Sequence, residues 1–135
     1  MALAGHVPDS VRVAESDAGH RTIEHLTGVA LGCSGVEQEL MDERAEAFAA
    51  RDPTRYERAG SRAVETFDES RATALFTLFV KNGTWQVPKE AQGPADGEAG
   101  RRLFASEIGL VRAMHAAGVL FMAGTDSANP SVLPG

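Results

Sequence analysis

The stretch Val119-Leu120-Phe121-Met122-Ala123-Gly124-Thr125-Asp126 predicts how the rest of the chain is arranged. Its apolar run is continuous and ends in a glycine, a threonine and an aspartate, which is typical of a buried strand of a parallel sheet. Such a strand would deliver Asp126 to the carboxyl edge of the sheet, where α/β folds place their chemistry. An aspartate after a strand is also a common turn residue or helix N-cap. This segment alone leaves both interpretations open.

The residues before this stretch alternate between strand and helix patterns. Predicted strands cover residues 2–8, 21–26 and 84–88, with a last one from Val119, and predicted helices cover 9–19, 36–51, 53–82 and 101–117. Residues 27–35 and 89–100 are rich in glycine or polar side chains and are predicted as loops. Four strands joined by helices predict a parallel sheet with right-handed crossovers. The predicted fold class is therefore α/β, in one domain over residues 1–135.

Composition narrows the class of protein. A chain of 135 residues with 43% apolar and 24% charged side chains is predicted to form one soluble globular domain. It has no apolar run of about 18 residues and no signal-peptide pattern, so we expect no membrane partner. A net charge of -6 without a Lys/Arg cluster argues against nucleic-acid binding. The single cysteine, Cys33, fits a reducing compartment such as the cytoplasm, although a bacterial periplasm would tolerate it, and we interpret it as structural rather than nucleophilic.

Two histidines and the aspartate follow predicted strands at their carboxyl ends: His6, His25 and Asp126. In a parallel sheet those ends lie on one edge, so the three side chains can meet although they are far apart in sequence. Imidazole and carboxylate ligate catalytic zinc and related ions, and such a site keeps one position open for a water whose pKa the metal lowers. Asp126 would then be the general base. Two ordinary strand-end histidines are the alternative, and spacing alone does not decide.

Four segments add a resemblance to a known family. They are Gly5-His6-Val7-Pro8, Thr22-Ile23-Glu24-His25-Leu26, Gly83-Thr84-Trp85-Gln86-Val87-Pro88, and the residues from Ala117 to Asp126. In this order the chain resembles the amidohydrolase superfamily, most of all its imidazolonepropionase-like and prolidase-like branch, over nearly its whole length. The resemblance implies a (β/α)8 barrel with one or two divalent metals, and hydrolysis of C–N bonds in small amide, cyclic amide or dipeptide-like substrates. Zinc is the expected ion, although cobalt, manganese and iron accept the same ligands.

The resemblance also implies roles for single residues. His6 matches the metal-ligand histidine of the family's fifth strand and His25 that of the sixth, while Asp126 matches the eighth-strand aspartate that ligates metal and moves the proton of the water. Trp85 and Gln86 match the seventh strand, which shapes the substrate site.

Three further residues match no ligand position. Glu24 lies beside His25 in sequence and could hold a ligand histidine in place by a hydrogen bond. We interpret His20 and His115 as structural, one at a helix C-terminus and one on a helix face.

The chain departs from this family in one large respect. It lacks the first-strand His-x-His pair and the bridging lysine or glutamate, so it resembles a partial barrel, strands five to eight, truncated at both ends. Such a half has open sheet edges and unfilled inward positions, and we expect it to pair with a complementary N-terminal half or with itself. Three hypotheses follow: a hydrolase fragment that is active only when completed, a half-barrel that dimerises and binds metal or a small ligand without catalysis, and an inactive remnant.

Overall fold

A computed structural model describes residues 3–16, 19–88 and 98–124 of the chain. These residues form an alternation of strands and helices whose order agrees with the predicted α/β class. The elements are β1 (Leu3–Gly5), α1 (Val13–Ser16), β2 (His20–Glu24), α2 (Val29–Gly32), α3 (Glu37–Ala50), α4 (Pro53–Glu65), α5 (Glu69–Asn82), β3 (Trp85–Val87), α6 (Glu98–Ala116) and β4 (Leu120–Phe121).

The four strands form one sheet in the order β1-β2-β3-β4, and every neighbouring pair is parallel. Spatial order therefore follows chain order. All carboxyl ends point to the same edge, and β1 and β4 are the outermost strands of the described sheet. This arrangement confirms the predicted parallel sheet with helices between its strands, and it is compatible with part of a barrel.

The two faces of the sheet differ in what covers them. Ile23, Gln86 and Phe121 are register partners, so they project from the same face. Ile23 and Phe121 belong to an apolar cluster that also takes Val13 from α1 and Phe79 from α5. The opposite face carries Trp85, which is 37% exposed, and Val87, which is 4% exposed and lies beside Gly124. The helices thus cover one face of the sheet.

Helices α3 and α4 form a hairpin inserted between β2 and the crossover helix α5. The turn between them is determined by Asp52, whose carboxylate accepts a hydrogen bond from the Arg55 N–H at 3.0 Å, and by Pro53 in the first turn of α4. Leu40, Ala59 and Ala63 pack between the helices as a second, smaller cluster. Because this hairpin follows the carboxyl end of β2, it begins at the carboxyl edge of the sheet, where α/β folds place their functional residues.

Residues 53–82 were predicted as one long helix, and that prediction was wrong. The chain breaks after Glu65, because Asp68 caps a new helix by accepting hydrogen bonds from the N–H groups of Ser70 and Arg71 at 2.9 and 3.0 Å. The break is also held from far away in sequence, since the Asp68 N–H donates to the Cys33 carbonyl at 2.8 Å. An apolar stripe with a period near 3.6 residues runs through both helices and hides the interruption.

Two predicted loops also contain helix. Residues 27–35 include α2, and residues 98–100 belong to the first turn of α6 rather than to a loop. Residues 89–97 of the second predicted loop lie outside the described residues. Over the part of the chain that is described, none of the helices combines the length and the apolarity needed to cross a membrane.

Candidate metal centre

The structure brings His6 and His25 together at the carboxyl edge of the sheet. Each histidine follows its strand directly. Because Gly5 is in register with Ile23, the carboxyl ends of β1 and β2 lie side by side. Their ring centroids are 4.7 Å apart, with an edge-to-face angle of 71°. The His6 side chain is exposed and that of His25 is half-buried. The pair predicted from the sequence therefore meets and remains accessible from solvent.

The backbone at His25 adopts an uncommon conformation. His25 and Leu26 have φ angles of 57° and 54°, in the left-handed region that a leucine rarely adopts, and each such residue costs about 1–3 kcal/mol. Three hydrogen bonds hold this turn: the His25 N–H donates to the Val87 carbonyl at 2.7 Å, and the hydroxyl and N–H of Thr27 donate to the Glu24 carbonyl at 2.7 and 3.1 Å. The surroundings thus impose a strained turn beside the imidazole pair, a combination found at functional sites.

Glu24 precedes this turn on the face of the sheet that helices leave uncovered. It is the register partner of Val87, and its carboxylate accepts a hydrogen bond from the Thr22 hydroxyl at 3.4 Å. Its side chain is half-buried. Its expected role in orienting a ligand histidine stays a prediction.

Asp126, the expected third ligand and general base, lies outside the described residues. The last described residue before it, Gly124, packs against the end of β3, because a Cβ added at Gly124 would overlap the Val87 Cγ1. Val87 is also the residue whose carbonyl accepts from His25. The carboxyl end of β4 therefore lies beside the carboxyl end of β3, to which His25 is hydrogen-bonded.

Trp85 and Gln86 project from opposite faces of β3. Trp85 lies on the uncovered face, whereas Gln86 is fully buried on the helix-facing side. Within the described residues neither Nε2 nor Oε1 of Gln86 has a hydrogen-bond partner. An unpaired buried amide costs about 1–3 kcal/mol. The two expected substrate-shaping residues are thus not brought together, and Gln86 is directed towards the core rather than the strand ends.

The remaining sequence candidates lie elsewhere. His20 begins β2 and so is not at a helix C-terminus as predicted, while His115 is exposed in the last turn of α6 with its ring centroid 6.4 Å from that of Phe121. Cys33 is fully buried, and this burial raises the pKa of its thiol to about 12; the charge of Arg71 lowers it by less. A thiol protonated at neutral pH is a poor nucleophile, which agrees with the structural role expected for Cys33.

A cleft of about 960 Å³ opens between helices α4 and α6, and His25 lies on its wall. We call it the α4–α6 cleft. Its size is that of a small-molecule site. Its lining is mainly apolar, with a few polar side chains; the residues include Leu26, Leu31, Ala63, Val64, Phe67 and Leu110, together with Arg44, Tyr56, Ser61 and Ser106.

Arg44 and Tyr56 line this cleft, and the sequence did not indicate them as site residues. The Arg44 guanidinium lies 4.1 Å from the centroid of the Tyr56 ring, and Asp9 accepts a hydrogen bond from the Tyr56 hydroxyl at 2.6 Å. Burial, and next that hydrogen bond, raise the pKa of Tyr56. Arg44 also pairs with Asp9 at 3.4 Å. Asp9 and Tyr56 are 47 positions apart, so no local pattern could have indicated the cluster.

The residues fit a divalent ion in type and proximity, but only in part. Two neutral imidazoles are good zinc ligands, and an active site with zinc uses three protein ligands. Among the described residues, no group of three or more His, Cys, Asp and Glu side chains could hold a metal ion. A site with three ligands would therefore need a residue beyond the described part of the chain, such as Asp126, or a ligand from a second molecule. Neither protein-family models, nor curated proteins, nor solved structures match the sequence.

Proposed function

We propose that this chain carries half of a metal-dependent hydrolase site that cleaves the C–N bond of a small amide or cyclic amide. The observation that carries the proposal is the His6–His25 pair, with centroids 4.7 Å apart at neighbouring parallel strand ends. The strained turn at His25 adds support, because the structure holds this imidazole at a cost in backbone energy. The resemblance of four ordered segments to the amidohydrolase superfamily gives the reaction class.

The chemistry assigns a role to each residue of the half-site. A divalent ion, zinc by its donor set, supplies a Lewis acid that lowers the pKa of a water towards neutrality. His6 and His25 would hold that ion as neutral imidazoles. Asp126 would accept the proton of the water as the water oxygen bonds to the amide carbon, and would return it to the departing nitrogen as the C–N bond breaks. Hydrolysis yields a carboxylic acid and an amine, which remain in one molecule when the substrate is a cyclic amide.

The α4–α6 cleft would receive the substrate next to this half-site. His25 lies on its wall, and its apolar lining would bury the non-reacting part of a small molecule. Excluding water from the cleft would strengthen the electrostatic interactions inside it. Trp85 would shape the site only once its face of the sheet is covered.

Catalysis requires a second unit in this proposal. These residues offer two histidines and Asp126, whereas the family that the chain resembles adds a His-x-His pair from its first strand, a motif that is absent from these 135 residues. His6 and His25 alone are one ligand short of the three protein ligands of a catalytic zinc site, so these two residues by themselves would hold the ion weakly and leave the position of the water poorly defined. We therefore propose that the hydrolase is active only when another four-strand unit closes the barrel.

A second candidate function is binding without turnover. The α4–α6 cleft favours it, because a pocket of this size on a chain with an incomplete ligand set can hold a small molecule and leave it unchanged. The two candidates differ in their response to chelators. Binding in the cleft alone should persist after metal removal, whereas hydrolysis should stop.

The first experiment measures zinc bound by the purified chain, by elemental analysis and by competition with a chelator. Wild-type protein should bind zinc, and His6→Ala, His25→Ala and Asp126→Ala should each weaken binding by more than about tenfold. Even residues that only hydrogen-bond to a metal ligand change metal affinity by about 10–100-fold. His115→Ala is the matched control, because it removes an exposed histidine on α6 and should leave affinity unchanged. Zinc binding that survives both His6→Ala and His25→Ala would refute the proposed site.

A further inference from the structure

The α4–α6 cleft combines buried apolar side chains with an opening to solvent. Leu31 and Ala63 line it and are buried, whereas Phe67 on its wall is 45% exposed. Its volume of about 960 Å³ lies in the range of sites that bind small molecules. Water on a concave apolar surface is readily displaced by an apolar group, because burying apolar area is favourable. The cleft can therefore bury the apolar body of a ligand.

Two glycines inside helices leave room in this cleft. Gly60 in α4 and Gly109 in α6 both line it. Neither has a positive φ angle, and a Cβ added at either would meet nothing within 4 Å. Glycine is a poor helix former, so neither backbone conformation nor close packing accounts for glycine at these positions. What the two glycines do is keep the space between the helices free of side chains.

The unbalanced charges on the cleft are negative. Glu57 in α4 and Glu107 in α6 line it, and both are exposed. Over the described part of the chain, neither carboxylate takes part in a salt bridge. The positions three and four residues away along each helix hold no lysine or arginine that could pair with them. Arg44 also lines the cleft, but Asp9 balances its charge at 3.4 Å. The cleft therefore attracts a cation and repels an anion.

We propose that the α4–α6 cleft binds a small organic amine, with the apolar body between the two helices and the protonated amino group at the rim that carries Glu57 and Glu107. A primary amine is protonated at neutral pH, as the lysine side chain is. Binding itself needs no metal. Only the reaction rests on the proposed function: if the His6–His25 half-site is catalytic, its substrate is a small amide that carries such an amino group.

Calorimetric titration of the chain, with a chelator present, tests the preference for a cation. Three probes share one apolar body: diphenylpropylamine, diphenylpropanol and diphenylpropionate. The amine should bind most tightly and the carboxylate about tenfold more weakly, because two exposed carboxylates attract one and repel the other. Added salt should reduce this difference. Glu57→Gln and Glu107→Gln should each reduce it by about threefold. Glu65→Gln is the matched control, because Glu65 is exposed on α4 outside the lining of the cleft.

Filling the cleft tests whether it is the binding site. The double variant Gly60→Leu, Gly109→Leu places two side chains in the cleft and should weaken binding of the amine by more than about tenfold. Its Tm should stay the same or rise, because leucine is a better helix former than glycine. Ala105→Leu is the matched control: Ala105 is exposed on α6 outside the lining of the cleft, so affinity should not change.

Other outcomes overturn the inference. Equal binding of the three probes, tighter binding of the carboxylate, or no binding of the amine at millimolar concentration would each contradict an amine site. A double variant that loses stability would show that another part of this chain fills the cleft. If that variant fails to fold, the Glu57→Gln and Glu107→Gln titrations decide. Failure of the proposed function looks different: a chain that binds the amine but no zinc refutes the metal site alone, and a chain that binds zinc but no amine refutes the amine site alone.

Discussion

At the scale of single residues, burial determines what Cys33 can do. Its thiol is fully buried, and this burial raises its pKa to about 12. We predict that a disulfide reagent at neutral pH reacts with the native chain far more slowly than with the chain in denaturant, because the thiolate is the reactive form. Equal rates in the two states would contradict this burial. Cys33→Ala should abolish the reaction, since the chain has one cysteine.

The same thiol affects stability at high pH. The folded pKa lies above 9.0, the ordinary value for a cysteine thiol, so the unfolded chain loses its thiol proton first as pH rises. The contribution of Cys33 to stability is therefore intact below pH 9.0 and decreases between there and about pH 12. Cys33→Ala should remove this part of the pH dependence, measured as Tm against pH.

The sequence predicts that His6 and His25 lie close together. Their place at strand ends follows from local apolar runs that stop at a histidine, and parallel pairing then brings neighbouring ends together. The sequence alone does not show which face of the sheet a strand side chain occupies. Gln86 faces the helix layer because β-strand side chains alternate, and which of the two faces becomes buried depends on helices that pack from far along the chain.

At the scale of elements, Asp68 decides where one helix stops and the next begins. Its carboxylate accepts hydrogen bonds from the N–H groups of Ser70 and Arg71, and the hydroxyl of Ser70, followed by the Arg71 N–H, lowers the pKa of Asp68 below 3.8. Because the folded pKa is depressed, this stabilisation is present above the unfolded pKa and disappears as pH falls through the folded one. We predict that Asp68→Ala lowers Tm at neutral pH and that the difference shrinks below pH 3.8.

Asp68→Asn provides the control for this prediction. Asparagine keeps an acceptor at the N-cap but does not titrate, so its Tm loss should be smaller and less dependent on pH. A Tm loss for Asp68→Ala that is the same at pH 2 and pH 7 would show that the charge of the cap contributes nothing. The apolar stripe from Tyr56 to Phe79 runs across the break, which is made by the local cap at Asp68 and is also held by the distant bond from the Asp68 N–H to the Cys33 carbonyl.

At the scale of the whole molecule, stability should depend on what completes the sheet. If a second copy closes the barrel, Tm should rise with protein concentration, because association stabilises only the folded state. Zinc should raise Tm further in wild-type protein, because it adds about 2.7 kcal/mol to the free energy of unfolding when free zinc is about 100 times its Kd. Scanning calorimetry at several concentrations, with and without zinc, measures both effects.

Two variants separate these contributions. His25→Ala should lose the response to zinc and keep the response to concentration, whereas Leu120→Asp should lose the response to concentration, because Leu120 is 41% exposed on the outermost strand β4. A Tm that changes with neither protein concentration nor zinc would contradict both the association of two copies and the metal half-site.

The sequence by itself determined the α/β class, the places of the four strands and the approach of His6 to His25. These depend on the period of apolar residues and on the rule that parallel strands end at one edge, both of which are readable locally. Only the tertiary structure decided the burial of Gln86, the α4–α6 cleft and the Arg44–Tyr56 cluster. Each of these depends on contacts between residues tens of positions apart, which come together only when the whole chain packs.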